Sequence, residues 1–317
     1  MDLSIISVNW NSAEYMQACL ESVRVYTKGI SYEVVIVDNS SKVEEFEKLK
    51  RLCSEATIVR SEENLGFARA NNLGFMRSVG NYVLLLNPDT KLISPAISIM
   101  LEAAKTLPDA GIVGCKLLNG DLSVQLSSIQ RFPTILNQML DTEYLQLRWP
   151  QCPLWDLSPL FSSADEPVRV DAISGACMLI QRDVFEKVGM FSEDYFMYAE
   201  DMDLNFKVHR ECFANYYVGK AEIIHYGGGS SSKQRWSQWT TVMKHDAMRR
   251  YFRNTKGRYY EFLYRLAMGV AAIGRLAILG VAYVFGKLGF KRGNLTDAIS
   301  KWTTILRSAI GWADVVR

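Results

Sequence analysis

Residues 82–91 read YVLLLNPDTK, an apolar run from Tyr82 to Leu86 that stops at an acidic, oxygen-rich turn. A run without polar alternation suits a strand covered on both faces, as central strands of parallel sheets are. In open α/β sheets, ligands gather beyond the carboxyl ends of such strands. This strand would therefore deliver Asn87 and Asp89 to the mouth of a pocket. Their hard oxygen donors, separated by one residue, suit Mg²⁺ or Mn²⁺ that is also held by substrate phosphates. In isolation Asn-Pro-Asp is equally plain turn chemistry.

Working outward, strand and helix patterns alternate. Leu3 to Val8 reads as a strand, and Asn11 with Glu14 is a capping-box signature for a helix to about Val25. Tyr32 to Val37 is a second buried strand ending at Asp38, and Ser41 with Glu44 marks another helix start. Ala56 to Val59 gives a third strand, Phe67 to Val79 a helix, and Ser94-Pro95 opens a further helix after the fourth strand. Such alternation predicts a doubly wound, mostly parallel sheet. From Leu118 to Val170, Pro133, Pro150, Pro153, Pro159 and Pro167 break the periodicity, which predicts a loop region. Regularity returns with Val170 to Ile180 and a short helix capped by Asp183 and closed by Gly189. Beyond it, Asp201, Leu204, Val208 and Cys212 share one helical face.

The polar residues at these boundaries are the candidates for chemistry. Asp38 ends a strand at the same sheet edge as Asn87 and Asp89, so groups from separate strands converge on one crevice. A carboxylate there can accept the imide N–H of a pyrimidine base. In the segment Asn64 to Asn72, Gly66 permits close backbone approach, while a helix N-terminus and Arg69 favour phosphate oxygens. Glu200, Asp201 and Asp203 fall on the first turn of a helix, where the dipole supports carboxylates. Asp201 lies on the apolar stripe, an unusual place for a charge without a partner or a task. His225 follows a short apolar strand and precedes a glycine run, where imidazole can complete a metal site.

Composition bounds the rest. The chain has 317 residues, 49% of them hydrophobic, which exceeds what one core usually organises and predicts a catalytic domain with an appendage. Net charge is +2, yet from Lys244 onward fourteen Lys/Arg face four Asp/Glu, so the tail carries +10 and the remainder −8. Six scattered cysteines form no Cys-x-x-Cys pair, which points to a reducing cytosol rather than a zinc or disulfide framework. The N-terminal residues carry no basic and apolar leader that would direct secretion. Leu266 to Phe285 has the length of a membrane span, but Arg275 sits at its centre and both flanks are basic. The expectation is helices lying in the cytoplasmic membrane interface, ahead of packing within the protein or a homo-oligomer, and ahead of a true span.

Together, SIISVNWN, VVIVDNSS, NLGFARANNLG, LLLNPDT, SGACMLIQRDVFEKVGMF, YFMYAEDMDL and IIHYGGGS resemble the inverting glycosyltransferases of family 2, especially their bacterial rhamnosyltransferase-like branch. The resemblance spans Ser4 to about Ser232 and implies the GT-A fold: a Rossmann-like, mostly parallel sheet flanked by helices, followed by a basic helical appendage. Taken with the basic, apolar tail, it divides the chain into residues 1–243, the expected catalytic domain, and 244–317, an expected basic helical membrane-associating or oligomerising region. It implies that Asn9 and Asp38 hold the base and that Asn64, Arg69 and Asn87 contact the nucleotide-sugar. Asp89 and His225 would bind a divalent metal, Mg²⁺ or Mn²⁺, and Gly175 and Ala176 would line the acceptor side. Asp201 would be the catalytic base, beside Glu200. The expected reaction is transfer of L-rhamnose from dTDP-rhamnose to a saccharide acceptor, lipid-linked, in cell-surface polysaccharide synthesis, on the inner face of the membrane. Nucleic acid is not an expected partner.

Three departures bear on this. Asn87 replaces the first acid of Asp-x-Asp, which leaves Asp89 to carry the metal. Ser192 and Ala172 replace the Asp and Trp of many relatives, which puts the acceptor in doubt. A UDP- or GDP-sugar donor and a non-catalytic nucleotide-sugar scaffold are the alternatives. SVNWNSAEY lacks the glycine-rich loop that a nucleotidyltransferase or dinucleotide oxidoreductase would need.

Overall fold

The structure, a computed structural model, describes residues 1–140, 143–162, 166–227, 238–285 and 292–311. Strands β1 (Leu3–Asn9), β2 (Tyr32–Asn39), β3 (Thr57–Ser61) and β4 (Tyr82–Leu86) are parallel and stand in the order β3-β2-β1-β4. The crossovers are α1 (Ala13–Tyr26), α2 (Val43–Leu52) and α3 (Gly66–Phe75). The chain steps outward from β1 to β3, then returns to lay β4 on the other flank of β1. Winding thus reverses between β1 and β4, and that reversal opens a crevice beyond their carboxyl ends.

Past β4 the sheet mixes directions. After β5 (Thr90–Leu92) and α4 (Ala96–Thr106) comes β6 (Ala110–Leu118), and β11 (Ala214–His225) runs parallel to it. β10 (Cys177–Gln181) inserts antiparallel between β4 and β6, while β5 and β8 (Val168–Val170) pair antiparallel with β11. Among the described residues, six of the nine strands in this sheet share one direction. β10 reads CMLIQ, and an apolar run of that kind encodes burial but not direction. Beside the main sheet, β7 (Ile129–Gln130) pairs with β9 (Ala172–Ile173).

The core lies on both faces of the sheet, as the uninterrupted run in β4 requires. Leu84 and Leu86 join Leu3, Ile5, Ile97 and Met100 on one side. Val83 and Leu85 join Ile6, Phe75, Phe185, Leu204 and Val208 on the other. Each such side chain contributes about 1.5 to 3 kcal/mol on burial, so truncating Leu84 or Leu85 to Ala would cost about 2 to 5 kcal/mol.

Several expected local features are different. Neither capping box forms: α1 begins at Ala13 and α2 at Val43, and neither preceding residue caps through its side chain. Asn11 instead adopts a left-handed backbone, φ 52°, and its Oδ1 accepts from Lys42 N at 2.9 Å. Ser41 Oγ accepts from Asn11 N and from Asn9 Nδ2. These oxygens tie two loops together and are not available to cap helices. α3 ends at Phe75, short of Val79, and the helix α7 (Arg182–Lys187) starts after Gln181. The stretch from Leu118 to Val170 is more ordered than its prolines suggest. Its described residues include two 3₁₀ turns and the short helices α5 (Ile135–Leu140) and α6 (Glu143–Arg148), and Trp155, Leu157 and Leu160 enter the second core cluster. The glycines at 228 and 229, expected to form a flexible loop, and Lys287 and Lys291 of the tail lie outside the described residues.

The chain separates into two compact units. The sheet unit comprises Met1–Phe132, Glu143–Phe196 and Glu200–Ser232. In the other, α9 (Gln238–Lys256), α10 (Arg258–Phe285) and α11 (Arg292–Ala309) pack on one another, and α5 packs on α10. Glu261 is buried and receives Arg253 Nε at 2.7 Å and Arg249 Nη2 at 3.1 Å. Arg275 donates to the Met139 carbonyl at 2.6 Å, and its guanidinium stacks over the Trp302 ring at 4.2 Å. The charge in the middle of the apolar stretch is therefore turned onto protein. Tyr259, Phe262, Leu266, Val270 and Ile273, spaced three or four apart on one helical face, are exposed.

Candidate active site

At the crevice, β1 and β2 end side by side, with Asn9 paired in register with Asp38. Both are fully buried. Asn9 Nδ2 donates to Asp38 Oδ1 at 2.9 Å and to Ser41 Oγ at 3.1 Å, while its Oδ1 accepts from Ser12 Oγ. Every polar atom of Asn9 is thus occupied, and its work is to hold Asp38. Asp38 Oδ2 accepts from Ser41 N at 3.3 Å and lies 3.8 Å from Arg60 Nε.

The adjoining loop is clamped by Asn39. Its Nδ2 donates to Asn64 Oδ1 at 2.8 Å and to the Gly66 carbonyl, and its Oδ1 accepts from Leu65 N at 2.7 Å. Gly66 is glycine for two reasons: φ is +76°, and a Cβ would lie 2.2 Å from the Phe196 carbonyl oxygen. That carbonyl accepts from Phe67 N at 2.8 Å, and Asn64 Oδ1 takes Gly66 N. The amides of residues 65–67 are therefore already satisfied by the protein. Arg69 is half exposed, held loosely by Glu193 at 3.8 Å and Glu63 at 4.0 Å.

The segment between β9 and β10 joins the end of β4 to the start of α8 (Glu200–Arg210). Asn87 N donates to the Ala176 carbonyl at 2.9 Å, and Gly175 N donates to Asp201 Oδ2 at 2.9 Å. A Cβ on Gly175 would sit 3.1 Å from Asp201 Cβ, so any larger residue needs the carboxylate or the backbone to give by a few tenths of an ångström. Asp201 Oδ1 accepts from Met202 N at 2.8 Å. Burial pushes the Asp201 carboxyl above its usual range, against these two backbone donors. Glu200 is pushed up to about 8 by burial and then by the neighbouring Asp201 charge. Its Oε2 is buried without a hydrogen-bond partner among the described residues, as suits a neutral carboxyl. Asp203 is committed to structure: it accepts from Ser192 Oγ at 2.5 Å and from Tyr195 OH at 3.3 Å. Ser192 is accordingly tied to Asp203 and Ala172 to the β7–β9 pair, so each has a structural task. Cys212, expected on the inner face of α8, lies past the helix end with φ 65° and is exposed.

Beyond β4, Asp89 and His225 meet. Thr90 and His225 are register partners on β5 and β11, which sets His225 Nε2 3.3 Å from Asp89 Oδ1 and 3.5 Å from Asn87 Nδ2. Gln125 grips the other side: its Nε2 donates to the His225 carbonyl, and its Oε1 lies 3.0 Å from His225 Nδ1. Among the described residues no three His, Cys, Asp or Glu side chains gather as metal ligands. A carboxylate oxygen and an imidazole nitrogen at this spacing nevertheless fit a hard divalent cation that draws its remaining ligands from a bound diphosphate and water.

The structure thus links the Asn87 and Asp201 ends through two consecutive residues, Gly175 and Ala176, and brings Asp89 to His225. Sequence reasoning overlooked Asn39 and Gln125. Asn39 lay within the quoted VVIVDNSS, where an Asn after a strand end was the available signal. Gln125 lay in a stretch without periodicity and offered none.

Comparison with known proteins places this architecture. Residues 4–189 match the profile of Glycosyl transferase family 2. The chain is 28% identical over 243 residues to the N-acetylglucosaminyl-diphospho-decaprenol L-rhamnosyltransferase of Mycobacterium tuberculosis, covering 73% of this chain and 78% of that one. It is 23% identical to the rhamnosyltransferase WbbL of Escherichia coli, covering 70% and 82% respectively. In three dimensions it resembles the Pyrobaculum calidifontis mannosyltransferase, solved in complex with GDP-mannose and Mn²⁺, with a TM-score of 0.61 and 15% identity over 98% of this chain and 86% of that one. The profile spans more than half of the chain and the fold agrees: this protein is a glycosyltransferase that belongs to family 2, with the GT-A architecture and similarity to the family's rhamnosyltransferases.

Proposed function

We propose that the chain transfers L-rhamnose from dTDP-rhamnose to a lipid-linked saccharide, with inversion at the anomeric carbon, at the cytoplasmic face of the membrane. The observation that carries this reading is the Gly175–Ala176 bridge. It joins a two-donor cation site, Asp89 with His225, to a desolvated carboxylate, Asp201, suited to general-base work. The named activities of the mycobacterial and enteric relatives favour rhamnose, and the former's acceptor favours a lipid-linked saccharide.

In this reading Asp38, held by Asn9, receives the base, and the Asn39-clamped loop with Asn64 and Arg69 borders the diphosphate. Asp201 Oδ accepts the proton of the attacking acceptor hydroxyl. Gly175 N–H fixes which oxygen faces the acceptor, and Ala176 walls the same side. Glu200, neutral at physiological pH, leaves Asp201 as the lone charge of the pair. A divalent cation between Asp89 and His225 would neutralise charge growing on the departing diphosphate.

The helical unit supports membrane attachment. Arg275 is engaged by Met139 and Trp302, while the opposite, exposed stripe of α10 is apolar and the tail carries +10. Thermal-shift titration with dTDP, UDP and GDP, each with Mn²⁺, tests the donor. Stabilisation largest with dTDP is expected, and indifference to all three would remove the donor site.

A further inference from the structure

Gln125 has no part in the reading above beyond touching His225, yet its geometry is unusually constrained. Its backbone is pinned at both ends: Gln125 N donates to the Leu117 carbonyl at 2.9 Å, and its own carbonyl accepts from Ser128 Oγ at 2.7 Å and Ser128 N at 3.1 Å. Leu117 belongs to β6, whose next residue Leu118 is the register partner of Ile224 on β11. The side chain therefore projects toward His225 from a fixed platform on the adjacent strand. There it makes two contacts, Nε2 to the His225 carbonyl and Oε1 to His225 Nδ1.

These contacts settle a proton. Because the amide nitrogen is spent on a backbone carbonyl, the atom facing Nδ1 is an amide oxygen, which can only accept. Nδ1 must then carry hydrogen, and in the neutral ring Nε2 keeps its lone pair. That lone pair points to the side where Asp89 Oδ1 lies at 3.3 Å.

We infer that Gln125 is a positioning residue for cation binding: it fixes the Nδ1–H tautomer and the ring orientation of His225, so that Nε2 and Asp89 Oδ1 form a preset pair of ligands. The inference rests on the reading of Asp89 and His225 as the metal pair. Partners of this outer kind typically change metal affinity 10- to 100-fold when removed.

The test has two readouts. In ¹⁵N-labelled wild-type protein without metal, at a pH where the ¹⁵N shifts show the ring to carry a single proton, long-range ¹H–¹⁵N correlation identifies the protonated nitrogen of His225, assigned with His225→Asn. Protonated Nδ1 is expected, and protonated Nε2 overturns the inference whether or not any variant folds. Second, Mn²⁺ binding in the presence of dTDP is followed by electron paramagnetic resonance. Gln125→Leu should weaken it about 10- to 100-fold, while Gln125→Glu, which keeps an acceptor opposite Nδ1, should bind Mn²⁺ more tightly than Gln125→Leu. Unchanged affinity in folded Gln125→Leu overturns the positioning role. Wild-type protein that binds dTDP but no Mn²⁺ removes the metal reading itself, and the role of Gln125 with it.

Discussion

Gly175 N–H donates to Asp201 Oδ2 at 2.9 Å, and the Cα hydrogens of Gly175 face Asp201 Cβ where a methyl group would come to 3.1 Å. Gly175→Ala must therefore push the carboxylate or the backbone aside by a few tenths of an ångström. Because misplacement on the scale of an ångström costs about 10²-fold, this variant should lose about 10- to 100-fold in kcat. Its dTDP affinity by calorimetry should stay at the wild-type level. A parallel loss of nucleotide binding would mean that Gly175 supports the fold and not the base.

The Glu200 carboxyl, raised by burial to about 8, sets a stability slope of known sign. Between the unfolded value of 4.5 and about 8, the folded protein holds a proton that the unfolded chain has released. Stability is therefore full below that window and falls as pH rises through it, by at most about 1.4 kcal/mol per pH unit. Glu200→Gln mimics the neutral acid. Denaturant melts from pH 5 to 8 should show a flatter profile for this variant, and transfer at pH 7 should persist within about threefold of wild type, in contrast to the losses expected of a general base.

Asp89→Ala and His225→Ala each remove one of two donors set 3.3 Å apart. Each should raise the Mn²⁺ concentration for half-maximal transfer by at least about tenfold. Asn39→Ala makes a useful contrast, since it frees the 64–66 loop without touching those donors. It should weaken nucleotide-sugar binding while leaving the Mn²⁺ requirement unchanged.

Much of this site could be read before the structure, because strand ends are marked by the abrupt close of an apolar run. Asp38, Asn87 and Asp89 were legible for that reason, as was Asp201 by its place on a buried stripe. Strand direction was not: β4 and β10 are both short, mostly buried apolar runs and run oppositely, since burial on two faces looks alike either way. The capping boxes failed because Asn11 and Ser41 bond across loops 30 residues apart in sequence, which no local spacing encodes. Gln125 acts on His225 from 100 residues away for the same reason.

The exposed stripe on α10 and the engaged Arg275 predict different outcomes for neighbouring substitutions. Replacing Phe262, Val270 and Ile273 with Ser should abolish co-sedimentation with anionic vesicles, since each inserted side chain contributes about 1.5 to 3 kcal/mol, and should leave the melting temperature near wild type. Arg275→Leu loses the Met139 hydrogen bond and the Trp302 stack, and should lower the melting temperature, with a cost of about 1 to 3 kcal/mol.

The central claim is that Asp201 deprotonates the acceptor across from a cation-bound diphosphate. The most direct measurement is proton NMR of the rhamnosyl anomeric centre in product formed by wild type and by Asp201→Asn, with dTDP affinity measured on both. The account predicts an inverted product from wild type, normal dTDP affinity in the variant, and transfer lowered by about 10²- to 10⁴-fold. Retained anomeric configuration, or near-normal turnover in Asp201→Asn, would contradict it.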